Sequence, residues 1–94
     1  MEEKIYDVVI IGAGVGSLTT SIYLSRAGLS VAIIERGLYG GQLHNTDQVE
    51  NYSGFETVTG EYLAESMEKQ VMKLDNIEHV YGDVIDLIKA DNLF

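Results

Sequence analysis

The spacing of apolar residues divides the first third of the chain into a strand, a helix and a second strand. Residues 5–11 are nearly continuous aliphatic sequence, typical of a strand covered on both faces in a parallel sheet, so we expect a central strand. From Gly14 to Ala27, apolar residues recur every three or four positions and Gly28 supplies a stop signal, which predicts a helix. A second buried strand is predicted over 31–34. The order of these elements predicts a right-handed βαβ unit.

A long loop, a second helix and further strands are predicted in the rest of the chain. Residues 36–60 are rich in glycine, asparagine and aspartate and show no sustained period. They predict a loop of about 25 residues, long enough to suggest a function or a bound ligand. Helical spacing resumes at Glu61 and ends near Asn76, a third strand is predicted over 77–81, and a short fourth one over 84–88. We therefore expect an α/β fold with a three-stranded parallel sheet and two flanking helices.

Charge and composition exclude several functions. The 94 residues include 15 acidic and 6 basic side chains, and the net charge of −9 would repel a phosphate backbone, so no nucleic-acid partner is expected. Because the chain has no cysteine, it cannot itself carry a disulfide or a dithiol reaction. No segment fits a membrane span or a secretory signal, and the loop acids match no metal-binding spacing. We expect a cytoplasmic protein with no membrane partner and no metal site.

A glycine cluster links the first predicted strand to the first predicted helix. In a phosphate-binding turn, the first glycine permits the tight turn, the second lets the backbone approach a pyrophosphate, and the helix N-terminus offers free N–H groups. Gly12 and Gly14 occupy these two positions. The third glycine of the pattern would fall at Ser17, and Gly16 comes one place early. We expect a slight outward shift of the helix to accommodate the serine.

An acidic residue ends the second predicted strand. Glu35 follows Gly12 by about 20 residues, the spacing at which a carboxylate accepts hydrogen bonds from adenosine ribose hydroxyls. Its charge would repel a 2′-phosphate. The alternative is an ordinary strand-to-helix turn followed by a solvated acid, but the order of strand, helix, strand and acid favours a dinucleotide site. These features alone leave both FAD and NAD open.

A second signature lies in the long loop, in "ERGLYGGQLHNTDQVENYSGFETVTGEYL", residues 35–63. This segment resembles the flavin-domain segment of bacterial thioredoxin reductases, in which an acid is followed by a Gly-Gly-Gln-Leu turn, a Glu-Asn pair, a Gly-Phe turn and a helix. With "YDVVIIGAG" near the start and "YGDV" near the end, the resemblance covers the whole chain. It implies a Rossmann-like βαβ FAD-binding unit, an incomplete three-layer domain.

The resemblance also implies which residues contact FAD. It assigns the pyrophosphate to the glycine turn, the ribose to the acid, the ribityl chain and flavin to the second turn, the isoalloxazine to an asparagine, and the adenine to a backbone group after the third strand. The pyrophosphate residues would be Gly12, Gly14, Val15 and Gly16, and the ribose residue would be Glu35. Gly40, Gly41, Gln42 and Leu43 would contact the ribityl chain and flavin, Asn51 the isoalloxazine, and Val84 the adenine. The chain departs from the family pattern at residues 15–17, and it has Ser53 where the family usually has proline.

The resemblance implies a longer protein. Residues 1–94 would form the N-terminal segment of the FAD domain, without the NADPH domain, the Cys-x-x-Cys motif and the C-terminal return segment. The intact enzyme would pass reducing equivalents from NADPH through FAD to a disulfide, with a thioredoxin-like or other redox protein as partner, and a homodimer is left open. We expect the 94-residue chain alone to be inactive.

Three alternatives remain open at this stage. A ferredoxin–NADP reductase of similar architecture would lack the disulfide step, and a Cys-x-x-Cys motif in the parent protein would distinguish the two. A non-catalytic nucleotide-binding module would bind adenine nucleotides with no preference for a flavin. A fragment with no independent function would expose a sheet edge and apolar faces and would self-associate.

Histidine and aromatic residues are weaker candidates. His44 in the loop and His79 in the third strand have no second ligand or carboxylate at a convincing spacing, so we expect both to be exposed. Tyr39, Tyr52 and Phe55 could wall a flavin, and packing in the core or the loop is at least as good an interpretation.

Overall fold

The computed structural model describes residues 4–85. In chain order it contains strand β1, helix α1, strand β2, a 3-10 helix, helix α2 and strand β3. Their bounds are β1 Val8–Ile11, α1 Val15–Arg26, β2 Val31–Glu35, the 3-10 helix Gly41–Asn45, α2 Gly60–Met72 and β3 Ile77–Tyr81. The first three predicted strands and both predicted helices are confirmed, although β1 begins later and α2 ends earlier than expected. Of the predicted fourth strand, Val84 and Ile85 have no strand conformation and 86–88 lie outside the described residues.

The three strands form one parallel sheet in the order β1-β2-β3. The sheet confirms the predicted α/β class, but the expectation that β1 is central is wrong for the part of the chain described. β2 is the middle strand, while Val9 and Ile11 on β1 remain 50% and 55% exposed. The aliphatic run indicates that both faces of β1 are apolar. The hydrophobic pattern does not show how many strands lie beside β1 in the sheet.

Both helices pack on one face of the sheet. A single buried cluster joins Leu18 of α1, Ile33 of β2 and Val71 of α2, all of which are inaccessible to solvent. α2 begins at a cap in which the Thr59 hydroxyl accepts a hydrogen bond from the N–H of Tyr62. Among the helices within residues 4–85, none has the length and apolar character that crossing a bilayer requires.

The segment between β2 and α2 is folded back onto the core. Val49 and Val58 form an antiparallel bridge, and the N–H of Gly60 donates to the carbonyl oxygen of Thr46 at 3.0 Å. A Cβ atom at Gly60 would overlap the carbonyl oxygens of Leu43 and Thr46, so only glycine lets this loop approach the start of α2. The predicted long loop is therefore real but ordered by local contacts.

Candidate functional site

A crevice opens where the carboxyl ends of the three strands meet. Its volume is about 250 Å³. The lining residues come from the end of β1, the end of β2 and the segment after β3: Ile11, Gly12, Ile34, Glu35, Arg36, Gly82, Asp83 and Val84. Ligands of open α/β sheets bind at this edge. The crevice brings together Gly12, Glu35 and Val84, which lie far apart in the sequence.

The glycine turn and the start of α1 form one wall beside the crevice. Gly12 has a φ of 90°, a left-handed conformation that other residues rarely adopt, and its N–H donates to the carbonyl oxygen of Ile34 at 2.7 Å. Gly14 is the N-cap of α1, no side chain caps this terminus, and no acid lies in its first turn. A Cβ at Gly14 or Gly16 would meet no other atom of the described chain within 4 Å. Open space therefore lies before an uncapped helix N-terminus, an arrangement that fits a pyrophosphate.

Glu35 connects the two strand ends that border the crevice. One carboxylate oxygen accepts from the N–H of Ala13 at 2.7 Å and the other from the N–H of Gly37 at 2.6 Å. The bond from Gly37 is the main cause that lowers the pKa of the Glu35 carboxyl below its ordinary 4.5, against the opposing effect of burial. The carboxylate has about four acceptor positions, and the bonds from Ala13, Gly37 and Arg36 do not fill all of them, so it can also accept from a ligand hydroxyl.

The second glycine turn lies directly against the first. The N–H of Gly40 donates to the carbonyl oxygen of Ala13 at 2.7 Å, and a Cβ at Gly41 would lie 3.5 Å from the Cα of Gly14. Gly40 has a φ of 97° and is buried under α2, where a Cβ would overlap the side chain of Ala64. The glycine at 40 is thus explained by packing, whereas Gly41 is exposed beside the glycine turn.

The other residues assigned by the resemblance are more dispersed. Gln42 and Asn51 are exposed and do not line the crevice, and Leu43 is half-buried against the core. Sequence reasoning missed Arg36 and Asp83, which line the crevice. Their position in the chain could have identified them, because Arg36 follows Glu35 and Asp83 precedes Val84.

The expectation that both histidines are exposed is wrong. His44 is half-buried, and its Nε2 donates to the carbonyl oxygen of Tyr39 at 2.6 Å. His79 is half-buried as well, with Nδ1 hydrogen-bonded to the Tyr39 hydroxyl and Nε2 buried with no partner among the described residues. The sequence could not reveal this burial, because the loop between β2 and α2 has no periodic pattern and its contact with β3 joins residues that are far apart along the chain.

Tyr39 belongs to the core, and the other two aromatic candidates do not. Tyr39 is 2% exposed, and burial raises the pKa of its phenol to about 12, with smaller contributions from Tyr81, Glu68 and Glu35. Tyr52 and Phe55 are partly exposed and pair with each other at a centroid distance of 6.2 Å. For Tyr39, the packing interpretation is confirmed.

Comparisons with known proteins agree with this geometry. Residues 7–85 match the profile of the family described as FAD dependent oxidoreductase. The chain is 51% identical over 87 residues to the thioredoxin reductase of Bacillus subtilis, which covers 93% of this chain and 27% of that protein.

Solved structures of thioredoxin reductases have the same fold over this region. The enzyme from Streptococcus pyogenes superposes with a TM-score of 0.85 at 42% identity, over 90% of this chain and 28% of that one. The enzyme from Lactococcus lactis superposes with a TM-score of 0.80 at 40% identity, over 84% of this chain and 26% of that one. The chain thus spans about a quarter of the length of these relatives.

Proposed function

The chain belongs to the FAD dependent oxidoreductase family, and from this premise we propose that residues 1–94 are the N-terminal segment of the FAD-binding domain of a thioredoxin reductase-like flavoprotein. FAD supplies the capacity to accept a hydride and to pass electrons on. The contribution of this chain is to bind the adenosine and pyrophosphate end and to orient the rest of the cofactor.

One observation carries the choice of FAD. The hydrogen bond from Gly40 to Ala13 joins the second glycine turn to the phosphate-binding turn. A ligand that occupies the crevice and passes the start of α1 therefore meets Gly41 next, because Gly41 lies beside Gly14. FAD continues beyond its pyrophosphate with a ribityl chain and a three-ring isoalloxazine, a longer extension than the ribose and nicotinamide of NAD, and it therefore suits this continuous path better.

The chemistry of the crevice residues supports specific roles. Glu35 keeps acceptor capacity for a ribose hydroxyl, and its lowered pKa keeps it ionised at neutral pH. Gly12, Gly14, Val15 and Gly16 offer the pyrophosphate a close approach and N–H groups at the positive end of α1. The backbone of Val84 borders the crevice where an adenine would lie.

The second glycine turn and Asn51 divide into buried and exposed residues. Gly40 and Leu43 would act by holding the second turn in place, whereas Gly41, Gln42 and Asn51 are exposed and free to contact the ribityl chain and flavin. Because Gln42 and Asn51 each carry donors and acceptors, they suit the polar edge of the isoalloxazine.

For the whole protein we propose the reaction that its similarity to thioredoxin reductases suggests. NADPH would reduce FAD, and the electrons would pass to a disulfide and then to a thioredoxin-like protein in the cytoplasm. A Cys-x-x-Cys motif in the parent protein would support this reaction, and its absence would favour a ferredoxin–NADP reductase. Sedimentation of the whole protein tests the homodimer that the resemblance leaves open.

A titration with FAD, followed by flavin fluorescence and repeated with NAD as competitor, tests the binding proposal. We expect saturable FAD binding that NAD does not displace. Gly14→Leu should abolish binding and leave the fold intact, because the added side chain enters open space at an ordinary φ of −76°. Ala27→Leu places the same side chain at the opposite, exposed end of α1 and should bind FAD as the native chain does.

Two outcomes would contradict this proposal. Equal affinity for FAD, NAD and simple adenine nucleotides would favour a nucleotide-binding module without flavin preference. A folded chain that binds none of them would favour a fragment with no independent function.

A further inference from the structure

Tyr39 connects the third strand to the second glycine turn. Its hydroxyl is hydrogen-bonded to Nδ1 of His79 on β3, and the two rings lie 5.4 Å apart between centroids. Its carbonyl oxygen accepts from Nε2 of His44 in the 3-10 helix at 2.6 Å. Both the side chain and the backbone of this buried residue are therefore held by imidazole groups.

This anchoring continues into the phosphate-binding turn. Gly40 follows Tyr39 directly and donates its N–H to the carbonyl oxygen of Ala13. A displacement of Tyr39 would therefore move Gly40 away from Ala13 and Gly41 away from Gly14. Without the Tyr39 side-chain bond, the turn would keep its packing under Ala64, the His44 contact and the bond from Gly40 to Ala13, but would lose its link to β3 through His79.

We propose that Tyr39 and His79 are positioning residues whose side-chain hydrogen bond holds the Gly40–Gly41 turn against the Gly12–Gly16 turn. The consequence for FAD affinity rests on the proposed function, whereas the position of the turn does not. Neither side chain lines the crevice, so both act through the backbone of Gly40.

The pair holds the turn best when His79 is neutral. Either neutral tautomer can form the bond to Tyr39 through Nδ1, whereas the imidazolium places a positive charge, together with an Nε2 N–H that has no acceptor among the described residues, in a buried position. The groups that face the pair are Glu68 on α2, Tyr81 on β3 and Glu35 on β2. Glu68 favours protonation of His79, but burial has the larger effect and lowers its pKa below 6.5. The turn should therefore loosen as the pH falls through this lowered pKa, which lies below 6.5.

Hydrogen exchange of the Gly40 amide measures the position of the turn without any ligand. In the 94-residue chain, Tyr39→Phe should lower the protection factor of this amide by about tenfold, since it deletes the bond to His79 and keeps the ring. Tyr81→Phe is the matched control. It removes a hydroxyl from the ring that packs beside Tyr39 at 5.9 Å, and it should leave Gly40 protected as in the native chain.

Two variants of His79 separate positioning from bulk packing. Asparagine places a polar atom where Nδ1 lies, and glutamine places one nearer the position of Nε2. We expect His79→Asn to keep Gly40 protected and to remove the loss of protection below about pH 6.5, whereas His79→Gln should lose protection at every pH. These variants also decide the question if Tyr39→Phe does not fold.

The outcomes distinguish this inference from the proposed function. Equal Gly40 protection in Tyr39→Phe and Tyr81→Phe, or in His79→Asn and His79→Gln, would overturn the positioning role. If Gly40 responds as expected but the chain does not bind FAD, the positioning pair stands and the proposed function fails. If both hold, Tyr39→Phe should also weaken FAD binding by about the same factor as it lowers protection.

Discussion

The carboxylate of Glu35 accepts a hydrogen bond from the backbone N–H of Ala13 at 2.7 Å. This bond joins the end of β2 to the glycine turn after β1 through groups of the chain itself. The crevice edge is thus preorganised. A ligand hydroxyl would bind to a carboxylate that hydrogen bonds within the chain already hold in position. Preorganisation of this kind favours affinity because less ordering is needed on binding.

The first prediction concerns the charge on Glu35. Glu35→Gln should weaken FAD binding by about tenfold, because a neutral amide offers one acceptor oxygen and its NH₂ group opposes the N–H of Ala13 or Gly37. The measurement is the FAD dissociation constant from fluorescence titration. Glu56→Gln, an exposed loop substitution, is the control. Equal effects of the two substitutions would argue against a ribose contact at Glu35.

The second prediction concerns acid stability. The Glu35 carboxyl and the His79 imidazole both have pKa values lowered by the fold, so the folded chain binds fewer protons than the unfolded chain in the acid range. The free energy of unfolding should fall below pH 6.5 as unfolded His79 takes up a proton, and again below pH 4.5 for Glu35. Urea unfolding at stepped pH measures this. In His79→Asn the decline of the unfolding free energy below pH 6.5 should be smaller, and the decline below pH 4.5 should be unchanged. If this variant loses stability below pH 6.5 as steeply as the native chain does, another group causes that decline.

The same argument predicts loss of stability in alkali. The pKa of the Tyr39 phenol is raised from 10.0 to about 12, so the unfolded chain loses its proton first. The free energy of unfolding should be unaffected by Tyr39 below pH 10.0 and should decline from there to about pH 12. Tyr39→Phe should reduce this decline, and Tyr62→Phe, at an exposed position, should not.

The fourth prediction concerns Gly40. Gly40→Ala should destabilise the chain by about 3 kcal/mol, because alanine is strained at positive φ and its Cβ would overlap Ala64. Gly82→Ala is the control, since a Cβ there meets nothing within 4 Å. Chemical unfolding of both variants gives the comparison. A loss below about 1 kcal/mol at Gly40 would mean that α2 moves aside without strain.

Asn76 provides a fifth test, away from the crevice. Its amide NH₂ donates to the carbonyl oxygens of Ser25 and Leu29, both at 2.9 Å. A side chain just before β3 therefore provides hydrogen-bond donors for carbonyl groups at and after the end of α1. Asn76→Ala should cost about 2 kcal/mol, because these carbonyl groups are partly buried and lose their partner. Asn45→Ala, at an exposed position, should be close to neutral, and equal losses would contradict the capping role.

The fold was predictable because its elements follow regular periods. The aliphatic runs of β1 and β2 and the helical spacing from Gly14 to Ala27 are local signals, and their order determines a parallel βαβ unit. Asn76 shows where local reasoning ends. It was expected to end α2, which instead ends at Met72, while the Asn76 side chain binds the end of α1.

The candidate site was predictable only where a motif determines backbone shape. Gly12 and Glu35 lie beside the same crevice because strand ends in a parallel sheet meet at one edge. Tyr39, His44 and His79 could not be placed in advance, because their contacts join the aperiodic loop to itself and to a strand about 40 residues away along the chain.

The central position of β2 has a consequence for the order of folding. β2 must pair with β1 across a connection of about 20 residues and with β3 across one of about 40, and each doubling of loop length adds about 0.6 kcal/mol to the entropy of closure. The shorter connection should therefore close first, with α1 docked on β1 and β2. In stopped-flow kinetics, Leu18→Ala should slow folding more than Val71→Ala does for the same loss of stability.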